Sequence, residues 1–245
     1  MMDQDAAWLG KIVAGFAPPP MPNVPVLQGQ FARLERLDLA HTADLFDAFN
    51  GHDALWDFMP YGPFHAASAY HRWAKESALG DNPYFYAIRD GANGHLGGIA
   101  AYLNIVPAHG SIEIGHICLA PNIAGTRVST DALVQMVTWA FDAGYRRVEW
   151  KCNALNIPSR FAAQRLGFSF EGVFRNHMVI KGRSRDSAWF AITDAEWPPL
   201  REAYAAWFAP RNFNADGVQI ERLSDLTQLV CTSFDPALIG PASRR

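Results

Sequence analysis

The sequence predicts an α/β fold built on a mixed sheet, and three observations carry that expectation. Strand-type and helix-type segments alternate through the second half of the chain, from Ile112 to Ile192. The run Asp90-Gly91-Ala92-Asn93-Gly94 is a turn sequence, which makes Tyr84–Arg89 and Leu96–Ile105 a hairpin. Val128, Ala132, Leu133, Met136, Val137, Ala140 and Phe141 fall on one apolar stripe at helical spacing.

Residues 1–29 form an arm. A short helix is expected around Trp8–Val13. Pro18, Pro19, Pro20, Pro22 and Pro25 then exclude regular helix or sheet and favour an extended, polyproline-like path. Residues 30–209 carry the main domain. Phe31–Leu37 reads as a strand, His41–Asn50 and Ala66–Ala78 as helices, and the hairpin strands follow. Ile112–Leu119 is the next strand. Thr126–Phe141 is the striped helix, with Gly144 as its C-terminal stop. Arg147–Cys152 (strand), Pro158–Leu166 (helix), Phe168–Phe174 (strand) and Ser187–Ile192 (strand) complete the alternation. Residues 210–245, with Asn212, Asn214, Asp216, Gly217 and Pro236, form an irregular tail.

Composition narrows the function. A chain of 245 residues buries about 70% of its unfolded surface, so the core needs no disulfide or metal staple. Hydrophobic residues are 49% and charged residues 18%, which excludes a disordered chain. The net charge of −3 gives no reason to expect nucleic-acid binding. Cys118, Cys152 and Cys231 are widely spaced and odd in number, which fits a reducing cytoplasm. No apolar run is long enough to cross a membrane, and Asp3 and Asp5 stand where a signal peptide would be basic. There is no P-loop, G-x-S-x-G, H-E-x-x-H or C-x-x-C, and no ligand spacing for a metal. Arg175, Lys181, Arg183 and Arg185 surround a hairpin turn. They make either a solvated turn or a site for an acidic ligand or partner.

Two local details bear on function. In Ile112–Leu119 the apolar residues are first even-numbered (Ile112, Ile114) and then odd-numbered (Ile117, Leu119). Either an extra residue near Gly115–His116 resets the register, or the strand is buried on both faces. The strand–turn–helix from Leu119 to Thr126 also aims backbone N–H groups and a helix N-terminus at one spot, an arrangement that binds phosphate.

Two blocks then carry a family resemblance. The first runs from Pro121 to Ala132. The second is Asn156-Ile157-Pro158-Ser159, Arg165-Leu166-Gly167-Phe168 and Glu171-Gly172. Together they resemble the GCN5-related N-acetyltransferase (GNAT) superfamily, in its RimJ/RimL-like branch of ribosomal-protein N-terminal acetyltransferases. The resemblance implies the acyl-CoA acyltransferase fold, with splayed central strands and a β-bulge on the fourth strand, Ile112–Leu119. It implies acetyl-CoA as donor substrate. The first block matches the pyrophosphate loop, so Ala124, Gly125, Thr126, Arg127, Val128, Ser129 and Thr130 would bind the cofactor. The block departs from the family pattern Q/R-x-x-G-x-G/A. Ala124 stands for Gln or Arg, and Arg127 and Ser129 stand for the two glycines. Arg127 would add a charge-assisted bond to a phosphate or close the loop of a degenerate enzyme. The second block matches N-x-x-S…L-G-F…E-G. Asn156 and Ser159 would line the thiol end of the cofactor, and Ser159 would hand a proton to the departing thiolate. A backbone amide among Ile117, Cys118 and Leu119 would polarise the thioester carbonyl.

An amine is mostly protonated at neutral pH, so transfer needs a base. Glu113, eleven residues before Ala124, stands where histone-modifying relatives keep a glutamate base. His116 is the second candidate. Cys118 and Cys152 have no adjacent base and read as buried strand residues. The acceptor, a peptide N-terminus or a small amine, would enter between Trp56–His71 and Arg175–Asp186. Trp56, Phe58, Tyr61 and Phe64 form either its pocket or part of the core. The arm would fold over this mouth or bind a neighbouring subunit in a homodimer. The expectation is therefore a cytoplasmic N-acetyltransferase with no metal. The alternative is a catalytically degenerate acyl-CoA-binding or regulatory module.

Overall fold

A computed structural model describes residues 9–215 and 217–239. Trp8 and Asp216, which the sequence reading used, lie outside that range. Eight strands form one sheet in the order β1-β2-β3-β4-β5-β6-β8-β7. They are β1 (Val26–Gln28), β2 (Ala32–Arg36), β3 (Tyr84–Asp90), β4 (Leu96–Val106), β5 (Ser111–Leu119), β6 (Arg147–Asn153), β7 (Ser169–Ile180) and β8 (Arg183–Thr193). The helices are α1 (Thr42–Phe49), α2 (Ala67–Trp73, extended by one π turn), α3 (Arg127–Asp142), α4 (Ile157–Arg165), α5 (Trp197–Phe208) and α6 (Leu223–Thr227).

The sheet separates two apolar layers, and strand alternation sorts side chains between them. Tyr84, Tyr86 and Ile88 face the layer of α3 and α5, whereas Phe85 and Ala87 face the layer of α1 and α2. All strand pairs are antiparallel except β5–β6, which α3 joins by a crossover.

That one parallel pair is short. Ser111, Ile112 and Glu113 pair with Arg147, Val148 and Glu149, and there the pairing stops. β5 runs on to Leu119 along β4, and β6 to Asn153 along β8, so the two strands part beyond Glu113. The bulge lies on β5. Ile99 pairs with Cys118 and Ala101 with Gly115, so Ala100 alone opposes His116 and Ile117. His116 takes a positive φ of 51°. Ile112 and Ile114 before it, and Ile117 and Leu119 after it, all pack on the α3 side, while Cys118 packs on the α1–α2 side. The change of parity in the sequence is this bulge.

Several expectations need correction. Val26–Gln28 is a strand despite the prolines, because Pro25 falls just outside it and Val26 pairs with Glu35. Gly10–Val13 form no helix; Gly10 takes a positive φ, and Leu9 and Ile12 are exposed with no surface to pack on. β7 and β8 are longer than read. Their outer halves form a hairpin whose residues are mostly exposed, with Met178, Ile180 and Arg185 half-buried where they line the cleft, so no run of buried residues marks them. Helix α5 was not read at all. It starts with Pro198 and Pro199 in its first turn and buries Leu200, Tyr204 and Trp207 at helical spacing.

The arm and tail both pack on the domain. Tyr145 and Tyr86 donate hydroxyl hydrogen bonds to the carbonyls of Pro20 (2.9 Å) and Val24 (2.8 Å). Arg160 of α4 makes a two-pronged buried ion pair with Asp235 of the tail, at 2.6 and 2.5 Å.

Candidate active site

The gap between β5 and β6 opens a cleft. Glu113, Gly115, His116, Ile117, Trp150, Lys151, Asn156, Ser159 and Arg185 are among its lining residues. Strand alternation puts these groups on opposite sides of the opening. Trp150 and the start of α4 lie on the α3 side, and Glu113 and Lys151 on the α1–α2 side.

Glu113 is 2% exposed. Its Oε2 accepts a 2.7 Å hydrogen bond from Asn104 Nδ2 and lies 3.3 Å from Lys151 Nζ. Asn104 reaches it from a second bulge, on β4, where its φ is +45°. Burial raises the carboxyl above the usual carboxylate range, and Lys151 and Asn104 offset only part of that. A buried carboxylate with raised proton affinity at the end of a cleft has the character of a general base.

His116 has the opposite character. Its Nδ1 is 3.1 Å from the Tyr61 hydroxyl, and its ring stacks on Tyr61 at 5.6 Å. Burial, then the charges of Lys151 and Arg185, push its pKa down to about 4. It is neutral at pH 7 and a weak base. Of the two candidate bases, Glu113 has the raised proton affinity and His116 the lowered one.

Asn156 caps α4, its Oδ1 accepting from the Ser159 amide at 3.1 Å, with Pro158 in the first turn. Ser159 Oγ accepts from Trp150 Nε1 at 3.1 Å. The indole occupies an acceptor lone pair, so the hydroxyl keeps its own hydrogen for donation. Ile117 lines the cleft within the bulge. Cys118 pairs with Ile99, and burial pushes its thiol up to about 12, so it is no nucleophile.

The residues Ala124 to Thr130 lie at the far end of β5. The Ile123 and Ala124 amides donate to the Ala120 carbonyl and the Thr126 amide to the Ile123 carbonyl, which closes a turn. Gly125 has a φ of 71°, which a glycine adopts without strain. Thr126 caps α3 by accepting from the Val128 amide at 3.2 Å. Ser129 and Thr130 are buried and donate their hydroxyls to the Thr126 carbonyl at 3.0 and 3.1 Å. Their side chains, and those of Cys118, Leu119 and Val128, do not line the cleft. The Arg127 guanidinium is drawn aside. It lies over the rings of Phe31 and Phe213 at 4.6 and 4.9 Å and lines a second hollow with Gly125, Thr126 and Arg165. The guanidinium therefore does not cover the turn, whose Ala124, Thr126 and Val128 amides are already bonded within it; those of Gly125, Arg127 and Ser129 are not.

Comparison with known proteins decides the family. Residues 32–169 match the Acetyltransferase (GNAT) domain. The chain belongs to the GNAT acetyltransferase family. A GCN5-related N-acetyltransferase from Brucella melitensis is 39% identical, with a TM-score of 0.85, over 87% of this chain and 99% of that one. RimL, described as a ribosomal L7/L12 alpha-N-protein acetyltransferase, shares the fold at 19% identity and a TM-score of 0.61, over 73% of this chain and 99% of that one. The Bacillus subtilis (strain 168) protein named "Putative ribosomal N-acetyltransferase YdaF" is 27% identical over 106 residues, 43% of this chain. The match spans 57% of that relative's length. These likenesses agree with the RimJ/RimL-like branch read from the sequence.

The aromatic residues from Trp56 to Phe64 divide. Trp56 is buried among Phe49, Tyr61, Phe64 and Tyr70 and belongs to the core. Phe58 and Met59 line the cleft instead. The β7–β8 turn reaches across to this segment, where Lys181 Nζ donates to the Trp56 carbonyl at 2.8 Å. None of the arm's described residues lines the cleft. His177 is held on the hairpin by Ser187 at 2.9 Å, outside the cleft.

The sequence reading missed Asn104, Lys151 and Trp150. A signal existed for Lys151: in Arg147–Asn153 the polar residues alternate with Val148, Trp150 and Cys152, which puts Lys151 on the face of Glu113. Among the described residues no cluster of His, Cys, Asp or Glu could hold a metal, and no helix is long and apolar enough to cross a membrane.

Proposed function

We propose that this chain transfers an acetyl group from acetyl-CoA to a primary amine by direct attack in a ternary complex. The observation that carries this reading is the single cleft holding Glu113 and Ser159 on the two sides of the β5–β6 opening. The acetyl-CoA phosphates sit at the turn before α3, on the amides of Gly125, Arg127 and Ser129 that are not bonded within it, and the pantetheine arm runs along the unpaired edge of β5. The amine enters from the α1–α2 side. Glu113 takes its proton, directly or through water, and the nitrogen attacks the thioester carbon. A β5 amide among Ile117, Cys118 and Leu119 stabilises the oxyanion. The C–S bond breaks, and Ser159 hands a proton to the thiolate.

Residues 30–209 form the catalytic unit, with the arm and tail as straps. The names of the relatives favour a protein N-terminus as acceptor. Thermal unfolding with and without acetyl-CoA tests the reading. At about 100 times the dissociation constant the ligand stabilises by roughly 2.7 kcal/mol, a rise of a few degrees in Tm. No shift at millimolar acetyl-CoA would leave the degenerate module as the better account.

A further inference from the structure

The cleft holds a positive charge that acetyl transfer from a neutral thioester does not use. Arg185, on β8 opposite Met178, lines the cleft together with Glu113. Its Nε is fully covered by protein and has no hydrogen-bond partner. It makes no ion pair with a carboxylate among the described residues. The other cation in the cleft, Lys151, is already paired with Glu113. The groups that act electrostatically on Arg185 are the Glu113 carboxyl and the Cys152 thiol, and His116 beside them is neutral. No ligand reaches the covered Nε, but the terminal guanidinium nitrogens also donate to no acceptor among the described residues, are not so covered, and belong to a side chain that lines the cleft, so a ligand there can satisfy them.

The donor's phosphates are not that ligand. They belong at the turn after Leu119, six residues along β5 from Glu113, or roughly 20 Å at strand rise. Arg175 and Arg183 lie exposed on the same hairpin as Arg185. With Lys181 and Arg185 they outnumber Asp186, so the hairpin beside the cleft is basic in a chain whose net charge is −3, although neither Arg175 nor Arg183 lines the cleft itself.

We infer that the acceptor carries a carboxylate in the same molecule as its amine, and that this carboxylate docks on Arg185 while the amine meets Glu113. The inference rests on the acetyl-transfer reading and narrows its substrate class. The carboxylate belongs either to a small amino acid or to an acidic side chain near a peptide N-terminus, and one experiment separates the two.

The probes are matched pairs: free amino acids against their α-carboxamides, and Ser-Asp-amide against Ser-Asn-amide. Binding to the CoA-loaded protein is measured by calorimetry, and kcat/KM by thiol release from acetyl-CoA, for wild type, R185Q and R185K. Wild type should favour the charged member of one pair by at least about 10-fold. In R185Q that ratio should fall to near one. In R185K it should recover in part, because charge returns without the planar fork. Unfolding midpoints of the variants show that they are folded. The pair that discriminates names the source. No preference in either pair, in binding or turnover, overturns the inference, as does a preference that survives in R185Q. An Arg185-dependent preference in binding, with no thiol release from any amine, would keep the carboxylate site and remove the transfer reading.

Discussion

Lys151 Nζ lies 3.3 Å from Glu113 Oε2, across the point where β5 and β6 stop pairing. Burial works against the ionised carboxyl, and the ammonium works for it. Burial is the larger influence, so Glu113 holds its proton more tightly than a solvated glutamate while remaining ionisable. Asn104 completes the arrangement from a bulge on the opposite neighbouring strand.

The pH dependence of turnover follows from that balance. The acid limb of kcat/KM should fall above the ordinary glutamate value of 4.5, because Glu113 must be ionised to act. In K151M, which removes the largest influence favouring ionisation, the limb should move to higher pH. A pH–rate profile of both proteins measures this, and an unmoved limb would separate Lys151 from Glu113.

His116 gives a stability prediction of definite sign. Its folded pKa, about 4, lies below the unfolded value of 6.5. The unfolded state therefore takes up the proton first, and stability should rise with pH between about 4 and 6.5. At 1.36 kcal/mol for each factor of ten in proton affinity, the effect is roughly 3 kcal/mol when complete. Urea unfolding of wild type and H116N across that window should show this contribution in wild type alone. A slope equal in both proteins would assign it elsewhere.

Ser159 should matter for turnover more than for binding. In S159A the thiolate loses its donor, and kcat should fall by about 10-fold or more with the acetyl-CoA Kd within a few-fold of wild type. The Trp150 indole would also lose its acceptor, at a cost of about 1 kcal/mol in stability. Thiol-release kinetics with parallel thermal unfolding separates the two effects.

The buried pair of Arg160 and Asp235 fastens the tail to α4. Asp235 also accepts from the Ala237 amide at 3.0 Å, and its own amide donates to Gln164. D235A should leave the guanidinium buried without its partner and cost about 3–5 kcal/mol. Differential scanning calorimetry should register this as a drop of roughly 10 °C in Tm. A drop under 2 °C would mean that the tail contributes little.

The sequence carried what local pattern can carry. The parity change in Ile112–Leu119 offered the bulge as one of two readings, and the family resemblance named Glu113, Asn156 and Ser159, which the structure brings to one cleft. The parting of β5 and β6 was legible only through the family resemblance, since no residue pattern marks where two strands stop pairing. The position of Arg127 was not legible, because Phe31 and Phe213 approach it from remote parts of the chain. The outer halves of β7 and β8 were missed because most of their residues are exposed and none of the apolar ones is fully buried, which leaves little period-2 signal. The aromatic residues from Trp56 to Phe64 read alike in sequence, yet tertiary packing sends Trp56 into the core and Phe58 into the cleft.

The role of Glu113 is tested most directly by thiol release from acetyl-CoA with peptide and small-amine acceptors, in wild type and E113Q. Wild type should release coenzyme A only when an accepted amine is present. E113Q should lower kcat by about 100-fold or more with the acetyl-CoA Kd unchanged within a few-fold. Equal turnover in the two proteins would contradict the assignment of Glu113 as the base.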